Sequence, residues 1–421
     1  MTVSAHRAFN LRKELAYERV SCSEAEKRAA QKLLEVAQST GAQAHIEEFP
    51  VACGKVNHAK LVVTEPYVKE YEVTGYERGL STTEGGVDLD FYYAENGEDA
   101  HLANVKGKAV MVNGRLGKNL YEKLMKAGVA AILTFAGTTI DRRSETDCDI
   151  RKLRQIQTEE SGACTALHMR TMDAAEIVRR GAKKMLIELS AENYGGISQN
   201  VCAVIEGTEY PDEIISFGAH YDSVYFSTGV YDNMSGSVII MELLHYFMEH
   251  KPARTMKFNW YGSEEQGLLG SKAWVKAHED ELKNHVLMVN IDVAAPILGK
   301  NGCPVLATEK AVGYVDALMR EAGIACETKL DIYSSDCIPF ADRGVPAVNL
   351  LRFGVPGAGY IHDRRDNLKS GYLSAEALDI TLQQALMFTQ RVDGAKVFPS
   401  ERKISDEIRE KVDEYLFKEK K

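Results

Sequence analysis

Five short runs rich in histidine and acidic residues follow one another between Gly218 and Asn367. Their side chains offer imidazole nitrogens and carboxylate oxygens, which are the ligands of zinc and similar divalent ions in hydrolytic centres. A single run of this kind means little, but five in order indicate a metal-dependent hydrolase. The runs are GAHYDSV with His220 and Asp222, GVYDNMSG with Asp232, YGSEEQG with Glu264 and Glu265, NIDVAA with Asp292, and YIHDRRDN with His362.

The number of candidate ligands predicts a site for two ions. Two zinc ions about 3.5–4 Å apart share a bridging carboxylate, and a catalytic zinc keeps one position for water. We expect His220 and Glu265 to bind one ion, Asp292 and His362 to bind the other, and Asp232 to lie between the two pairs. Water held between such ions has a pKa of about 7, so hydroxide is available at neutral pH.

Two further acids have roles beside the ligands. Glu264 is the neighbour of Glu265 on a loop, so its side chain can point in a different direction and accept the proton of the water. The same carboxyl group then passes the proton to the leaving amine. Asp222 follows His220 by two residues and can accept the second imidazole N–H, which fixes the tautomer of the ligand.

The elements that must position these runs alternate between apolar strands and amphipathic helices. Strands are predicted at 213–219, 255–261, 286–291 and 346–351, and helices at 234–248, 268–278 and 311–322. This alternation predicts an α/β fold with a mostly parallel mixed sheet covered by helices on both faces. Ligands of such sheets bind at the carboxyl ends of the strands, which is where the five runs fall.

The length of 421 residues exceeds what one core usually supports and favours two domains. Residues 59–195 show a different pattern from the alternating strands and helices of the rest of the chain. They contain several strand-like pieces, one small βαβ unit and none of the metal-type runs. We therefore predict a smaller β-rich domain at 59–195, inserted between residues 1–58 and 196–421 of the catalytic domain. Near the N-terminus, Ser23 to Glu26 forms a capping-box pattern that predicts the start of a helix.

The bulk composition excludes several classes of protein. A net charge of −10 and a pI near 5.7 argue against a nucleic-acid partner. No apolar run approaches the roughly 20 residues that cross a bilayer, and the first residues lack a secretory signal, so no membrane association and a cytoplasmic location are expected. The eight cysteines are scattered without a CxxC pair and are mostly interpreted as buried thiols. Four histidines away from the runs are interpreted as structural, namely His245, His250, His278 and His285.

In combination, the five runs resemble those of the co-catalytic zinc peptidase superfamily that includes bacterial leucyl aminopeptidase and glutamate carboxypeptidase. The resemblance extends from Asn200 to about Val392 and includes the opening helix. It implies two zinc ions, with cobalt or manganese as alternatives, and a cis peptide at Asp232–Asn233. It also implies Glu264 as the general base and Asp222 as the acid behind the histidine. The ligands that it implies are His220, Asp232, Glu265, Asp292 and His362.

The inserted segment also resembles a known module. VKGKAVMVN at 105–113, followed by EKLMKAGVAAILTF at 122–135, is similar to part of the protease-associated domain of some superfamily members. In the family this domain lies over or beside the active cleft. The resemblance implies that the insertion restricts the size of the substrate.

The resulting prediction is a zinc-dependent exopeptidase that acts on peptides, with removal of N-terminal residues as the favoured reaction. A carboxypeptidase for acidic peptides is the nearest rival, because Arg352 could hold a substrate carboxylate through its planar fork. The same runs are also compatible with a single-zinc glutaminyl cyclase or a non-catalytic receptor-like protein. Phe340 is a candidate for the specificity wall, and the amphipathic helix after Arg402 is expected to pack on its own domain or to form a homodimer contact.

Overall fold

The computed structural model describes residues 3–114, 116–144, 146 and 148–418. The helices are α1 Ala5–Glu14, α2 Glu24–Ser39, α3 Asp99–Leu102, α4 Lys118–Lys126, α5 Gln155–Ser161, α6 Thr171–Arg179, α7 Met234–Glu249, α8 Leu269–Ala277, α9 Glu309–Glu321, α10 Cys337–Asp342, α11 Ala375–Asp393 and α12 Asp406–Tyr415. The strands are β1 Gln43–Glu65, β2 Lys69–Tyr71, β3 Val73–Glu77, β4 Val87–Tyr93, β5 Ala109–Met111, β6 Ala131–Ala136, β7 Arg151–Lys152, β8 Thr165–Arg170, β9 Lys184–Ile205, β10 Tyr210–His220, β11 Arg254–Tyr261, β12 His285–Ile291, β13 Gly299–Leu306, β14 Cys326–Leu330 and β15 Ala347–Gly354. Short 3₁₀ turns lie at Glu264–Gln266, Glu279–Asn284 and Leu368–Ser370.

The chain consists of two compact units. Unit 1 contains Met1–Phe49 and Ile197–Lys421, and unit 2 contains Pro50–Gly196. The sequence placed the first division later, between residues 58 and 59. Strand β1 runs without a break through both positions, so no turn or linker in the sequence marks where the first unit ends.

Unit 1 contains a mixed sheet in which most neighbours are parallel. The strand order is β14-β13-β15-β12-β10-β11-β9. Strand β10 is parallel to both β11 and β12, β12 is parallel to β15, and β13 is parallel to β14. Only the pairs β13–β15 and β11–β9 are antiparallel among these described strands. The predicted α/β fold class is therefore confirmed, and β10 is flanked by the two strands that carry further site residues.

Helices cover both faces of this sheet. Ile215, Phe217 and Ala219 of β10 point into one apolar cluster, which also contains the buried sides of α2, α7, α9 and α11. Tyr261 and Met288 point into the opposite cluster, together with the buried sides of α8, α10 and α12. The alternation of side chains along each strand assigns neighbouring residues to opposite faces. This division confirms the prediction of helices on both sides.

The C-terminal amphipathic helix packs within unit 1. Ile408 and Val412 of α12 are fully buried in the second cluster, and Ile404 joins them just before the helix begins. The apolar face of α12 therefore packs against other residues of unit 1. Across the described residues, no helix combines the length and the hydropathy that crossing a bilayer requires.

Unit 2 is smaller and rich in strands. Strands β4, β5, β6 and β8 are parallel neighbours, β3 pairs antiparallel with β8, and β7 adds a short parallel edge. Helix α4 buries Tyr121 and Leu124 against one side, and α6 buries Ala174 and Ile177 against the other. This arrangement contains the small parallel βαβ unit that the sequence predicted. Its identity as a protease-associated domain stays a prediction.

An ion pair between Arg7 and the buried Glu242 links α1 to α7 in unit 1. Glu242 is 2% exposed and accepts hydrogen bonds from the Arg7 guanidinium at 2.7 and 2.6 Å. We expect Arg7→Ala to lower the free energy of unfolding by about 2 kcal/mol, because it leaves a buried carboxylate without its partner. Urea denaturation followed by tryptophan fluorescence reports on this unit, since Trp260 and Trp274 both lie in it.

Lys13→Ala is the matched control for this measurement. Lys13 lies on the same helix, and its ammonium group makes an exposed hydrogen bond of 3.4 Å to Asn10. Its removal should change the free energy of unfolding by less than about 0.5 kcal/mol. Equal effects of the two substitutions would contradict the role assigned to Glu242.

Candidate metal centre

The strand order of unit 1 brings the five runs to one edge of the sheet. His220 is the last residue of β10, Asp292 directly follows β12, and Glu264 and Glu265 begin the 3₁₀ turn after β11. Because β10, β11 and β12 are parallel, their carboxyl ends lie at the same edge. Asp232 lies two residues before α7, and the loop after β15 carries His362. The structure thus brings together every predicted ligand.

The donor atoms of the predicted ligands lie as close to one another as the ligands of one metal cluster do. Nε2 of His220 is 3.2 Å from Oδ1 of Asp232 and 3.8 Å from Oδ1 of Asp292. Nε2 of His362 is 2.8 Å from Oε2 of Glu265 and 3.4 Å from Oδ2 of Asp232. The two oxygens of Asp232 therefore face different imidazoles, which is the arrangement of a bridging carboxylate.

The pairing of the ligands differs from the sequence prediction. We expected His220 with Glu265 and Asp292 with His362. Besides the shared Asp232, His220 lies 3.8 Å from Asp292 and His362 lies 2.8 Å from Glu265, while single donor atoms of His220, Asp232 and Glu265 also lie within 4.8 Å of one another. Both β11 and β12 are hydrogen-bonded neighbours of β10, so strand order alone does not choose between the two pairings. Asp232 lies between the two pairs, as the sequence led us to expect.

Asp222 holds the loop that carries both glutamates. Its two carboxylate oxygens accept hydrogen bonds from the backbone N–H groups of Glu264 and Glu265, at 3.0 and 3.2 Å. Its Oδ1 also lies 3.4 Å from Nδ1 of His220. Asp222 thus lies behind the histidine, where it was predicted, and it orients the base candidate and one ligand candidate as well.

The centre concentrates buried negative charge. Six carboxyl groups at this centre are buried or nearly so. Asp222, Asp232, Glu264, Glu265 and Asp292 each lie within 3.9 Å of His220 or His362, and Asp336 interacts electrostatically with His220 and Asp292. Their ion-pair contacts are with His220 and His362. Two imidazoles cannot balance six carboxylates, and uncompensated buried charge is expensive. The donor set consists of oxygen and nitrogen, and it suits divalent cations such as zinc.

The unsatisfied atoms of the site fit the same conclusion. Oε1 of Glu265 and both carboxylate oxygens of Asp336 are buried without a hydrogen-bond partner in the described structure. Buried polar atoms normally find partners, so orphans at one site indicate an absent ligand or ion. The side chain of His362 is 42% exposed, and it marks the side from which solvent and substrate reach the centre.

Burial shifts the protonation equilibria of the cluster. It raises the pKa of Glu264 well above the usual range, and the neighbouring Glu265 raises it further while His220 opposes the shift. Burial likewise raises the pKa of Asp292 and of Glu265. Burial alone would lower the pKa of His220, but the surrounding carboxylates, Glu264 foremost, raise it well above its ordinary value. Cations bound at this centre would lower the pKa of the carboxyl groups and the pKa of His220 again.

The peptide bond between Asp232 and Asn233 is cis, as the family resemblance implied. The Asn233 side chain accepts hydrogen bonds from the backbone N–H groups of Gly236 and Val293, both at 3.0 Å. Its Nδ2 donates to the carbonyl oxygen of Ile291 at 2.8 Å. Asn233 therefore caps α7 and joins its start to the end of β12, so that Asp232 and Asp292 are held side by side.

Asp366 positions the bridging candidate, and the sequence prediction missed it. Its carboxylate accepts hydrogen bonds from the backbone N–H groups of Tyr231 and Asp232, at 2.8 and 3.1 Å, and from the Tyr372 hydroxyl. Burial raises the pKa of this carboxyl to about 7. The available signal was its place in YIHDRRDN, four residues after His362.

Two residues near the N-terminus also support the site from a distance. The Arg19 guanidinium is fully buried and donates to the carbonyl oxygens of Tyr221 and Gly229, which flank the loop between His220 and Asp232. Glu26 accepts a hydrogen bond from the backbone N–H of Ser263, directly before Glu264. The capping-box pattern predicted that the Glu26 carboxylate accepts a hydrogen bond from the backbone N–H of the N-cap residue Ser23. It accepts one from the backbone N–H of Cys22 instead.

Tyr333 is a further residue that the sequence prediction did not name. Burial raises the pKa of its hydroxyl, and the charges of Asp292, Asp232 and Glu264 raise it further. Its ring packs edge-on against Phe353 at 5.4 Å. The hydroxyl therefore stays protonated at neutral pH.

Two predicted substrate contacts are wrong. The Arg352 guanidinium donates to the carbonyl oxygen of Pro296 at 3.0 Å and to Oδ1 of Asn301 at 2.9 Å, so it is used within the protein. Phe340 is fully buried and stacks on Trp274, with ring centroids 5.4 Å apart. The sequence could place both residues only by their order along the chain.

Known proteins share this fold and parts of this sequence. The crystal structure of the zinc aminopeptidase BSAP from Bacillus subtilis matches 96% of this chain and 99% of its own, with a TM-score of 0.77 and 20% identity. Aminopeptidase YwaD of Bacillus subtilis (strain 168) is 29% identical over 168 residues, which are 37% of this chain and 35% of that protein. Carboxypeptidase Q of Mus musculus is 23% identical over 292 residues, covering 65% and 61%.

These alignments span between about a third and three fifths of the two relatives' own lengths. The family model described as peptidase family M28 matches residues 200–389, which include all five runs. The superfamily suggested by the runs is therefore confirmed in that segment. Through residues 200–389, which are 190 of its 421 residues, the chain is similar to peptidase family M28.

Proposed function

We propose that this protein is a zinc-dependent aminopeptidase that removes N-terminal residues from peptides. The observation that supports this most directly is the convergence of two imidazoles and three carboxylates around Asp232, at an opening marked by the exposed face of His362. His220 and Asp292 would hold one ion, His362 and Glu265 the other, and Asp232 would hold both. The oxygen and nitrogen donors also accept cobalt and manganese, which are the alternative metals.

Ions held by these residues would lower the pKa of a water molecule and polarise the carbonyl group of the scissile peptide. Glu264 accepts the proton of the attacking water, and its carboxyl group then donates that proton to the departing amine. The new C–O bond thus replaces the C–N bond without a free proton or hydroxide in solution. Burial suits Glu264 to this exchange, because it brings the two protonation states closer in free energy.

The surrounding residues orient this chemistry. Asp222 fixes the backbone of Glu264, and so places the base candidate at the edge of the ligand cluster. Tyr333 offers a neutral O–H group close to Asp292 and Asp232, where negative charge develops on the carbonyl oxygen during attack. Both residues act through hydrogen-bonding groups that are in place before the substrate binds.

The charge of the cleft favours a free amine over a free carboxylate. Two divalent ions supply four positive charges, whereas six carboxyl groups are buried at the centre. Arg352, which motivated the carboxypeptidase hypothesis, is already bound to Pro296 and Asn301. An ammonium group at the substrate N-terminus is therefore the better match for this site. The names of several relatives, among them leucine aminopeptidase 1 of Trichophyton rubrum, point the same way.

Glu264→Gln should separate catalysis from metal binding. We expect kcat to fall by about 10³–10⁴-fold, because the amide cannot accept the proton, while the zinc content stays unchanged. Peptidase assays and elemental analysis of the same preparation measure the two quantities. Glu279→Gln is the matched control, since Glu279 begins a second 3₁₀ turn and its side chain is 59% exposed. Full activity of the Glu264 variant would refute the assignment.

Metal content should fall by different amounts in two ligand variants. His220→Ala should lose one zinc equivalent relative to the unchanged chain, and Asp232→Ala should lose two, because Asp232 faces both imidazoles. Equilibrium dialysis against buffered zinc gives these differences directly. If the centre of the unchanged chain binds a single zinc with all five ligands present, the glutaminyl cyclase hypothesis is favoured.

Blocked dipeptides should distinguish the two exopeptidase reactions. We expect cleavage of a dipeptide with a free amine and a C-terminal amide, because the acidic cleft attracts the ammonium group. The N-acetylated dipeptide with a free carboxylate lacks the ammonium group. It should react at least about 100-fold more slowly, because the loss of that one charged contact costs about 3 kcal/mol. Rates in the reverse order would establish a carboxypeptidase instead.

A further inference from the structure

A second cluster of ligand-type side chains lies in unit 1, away from the five runs. His45 and Glu47 are two residues apart on β1, so their side chains leave the same face of the strand. Cys202 lies on β9. One nitrogen of His45, one oxygen of Glu47 and the sulfur of Cys202 all lie within 4.8 Å of one another. Histidine, carboxylate and thiol side chains thus converge from two strands.

A fourth donor reaches the same point from α8. His278 follows the last residue of that helix, and its Nε2 lies 3.0 and 3.1 Å from the two oxygens of Glu47. Nε2 of His45 lies 3.0 Å from Oε1 of Glu47. These separations match those of the candidate metal centre, where the imidazoles lie 2.8–3.8 Å from their carboxylates. His45, Glu47 and Cys202 are therefore spaced like ligands of one ion, and His278 lies beside them in contact with Glu47.

The surroundings of His278 are those of an oriented metal ligand. Its Nδ1 lies 3.2 Å from Oε1 of Glu281, and Glu281 is held in turn by Lys257 at 2.6 Å. The Trp274 ring stacks on the imidazole with centroids 4.4 Å apart. A hydrogen bond from Nδ1 to a carboxylate places the proton there and leaves Nε2 free to bind a metal. The ring orientation is thus fixed before any ion arrives.

The thiol distinguishes this cluster from an ordinary pair of histidines on a glutamate. Cys202 is 5% exposed, and its hydrogen-bond neighbours are Trp274 and Glu47. Burial raises the pKa of this thiol well above the usual range. A bare thiol beside the Glu47 carboxylate therefore stays protonated, and a divalent cation would convert it to the thiolate. Imidazole–carboxylate pairing accounts for His45 and His278, and the Cys202 side chain, which packs in the second apolar cluster, lies beside the same carboxylate.

We propose that His45, Glu47, Cys202 and His278 form a second zinc site. Four protein ligands of sulfur, nitrogen and oxygen type fill the tetrahedral coordination of zinc and leave no position for water, which is the composition of a structural site. The ion would join β1, β9 and the end of α8. The side chain of His45 is 62% exposed, so the site is open to metal from solvent. This proposal is independent of the proposed peptidase activity.

Cobalt substitution tests the site through its sulfur. A cobalt–thiolate bond gives a near-ultraviolet charge-transfer absorption, whereas the first centre has only oxygen and nitrogen ligands and gives none. The full chain, freed of metal by chelation and titrated with cobalt, should develop this absorption with one equivalent of cobalt per chain. Zinc content of the untreated variants, by elemental analysis, supplies the second readout.

Two substitutions and two matched controls make the test specific. Cys202→Ser should abolish the absorption, and His45→Ala should weaken cobalt binding at least about 10-fold. His45 is exposed on a strand, so its replacement threatens folding less than the loss of a buried group does. Cys303→Ser removes a different buried thiol, and His58→Ala removes a different exposed β1 histidine that also lies beside a glutamate. Both controls should keep the absorption and the zinc.

The outcomes separate this site from the peptidase centre. Cys202→Ser should lose one zinc equivalent and a few degrees of thermal stability while it retains peptidase activity in excess zinc. Asp232→Ala should lose the activity and keep the cobalt–thiolate absorption. Absence of that absorption in the unchanged chain, or its full persistence in His45→Ala, would overturn the second site and leave the peptidase proposal untouched.

Discussion

The constraint on which the site depends is the burial of more negative charge than the chain itself neutralises. Parallel strands β10, β11 and β12 end at one edge, and each end delivers an acid or a histidine into the same volume. In a low dielectric, carboxylates at such spacing repel one another strongly. The fold tolerates them because Asp222, Asn233 and Arg19 fix the surrounding backbone through buried hydrogen bonds. Divalent cations are the natural counter-charge for a site built in this way.

The ligand set could be predicted from the sequence because strand ends and chemistry coincide. An apolar strand that ends in His220 or Asp292 leaves its polar residue at the carboxyl edge, where α/β sheets bind their ligands. The α/β alternation is equally visible, and the predicted strand at 286–291 differs from β12 by one residue. Element type and site position therefore follow from local patterns of hydrophobicity.

The features that could not be predicted from the sequence depend on contacts between distant residues. The acid that each imidazole approaches depends on how the strand ends and the His362 loop pack, which chain order does not encode. Asp366 meets the backbone of Asp232 across 134 residues, and Glu26 meets Ser263 across 237. Arg352 and Phe340 were misplaced for the same reason, because the face of an element that a side chain occupies is decided by packing. His278 was interpreted as structural because nothing near it in sequence suggests Cys202.

The two clusters of unit 1 differ in the way that catalytic and structural zinc sites differ. The first has oxygen and nitrogen donors, a bridging carboxylate and an exposed edge at His362, so a substrate can reach the ions. The proposed second site has four donors including a thiol, and it would join three elements rather than line a cleft. Both would couple metal binding to stability, because ligands that repel or remain protonated in the free chain are satisfied only when a cation binds. The metal requirement of such a protein therefore reflects its folding as well as its chemistry, and loss of activity on chelation would not by itself identify the catalytic ions. Only the ligand type separates them, since a thiolate marks the second cluster and none of the five runs contributes one.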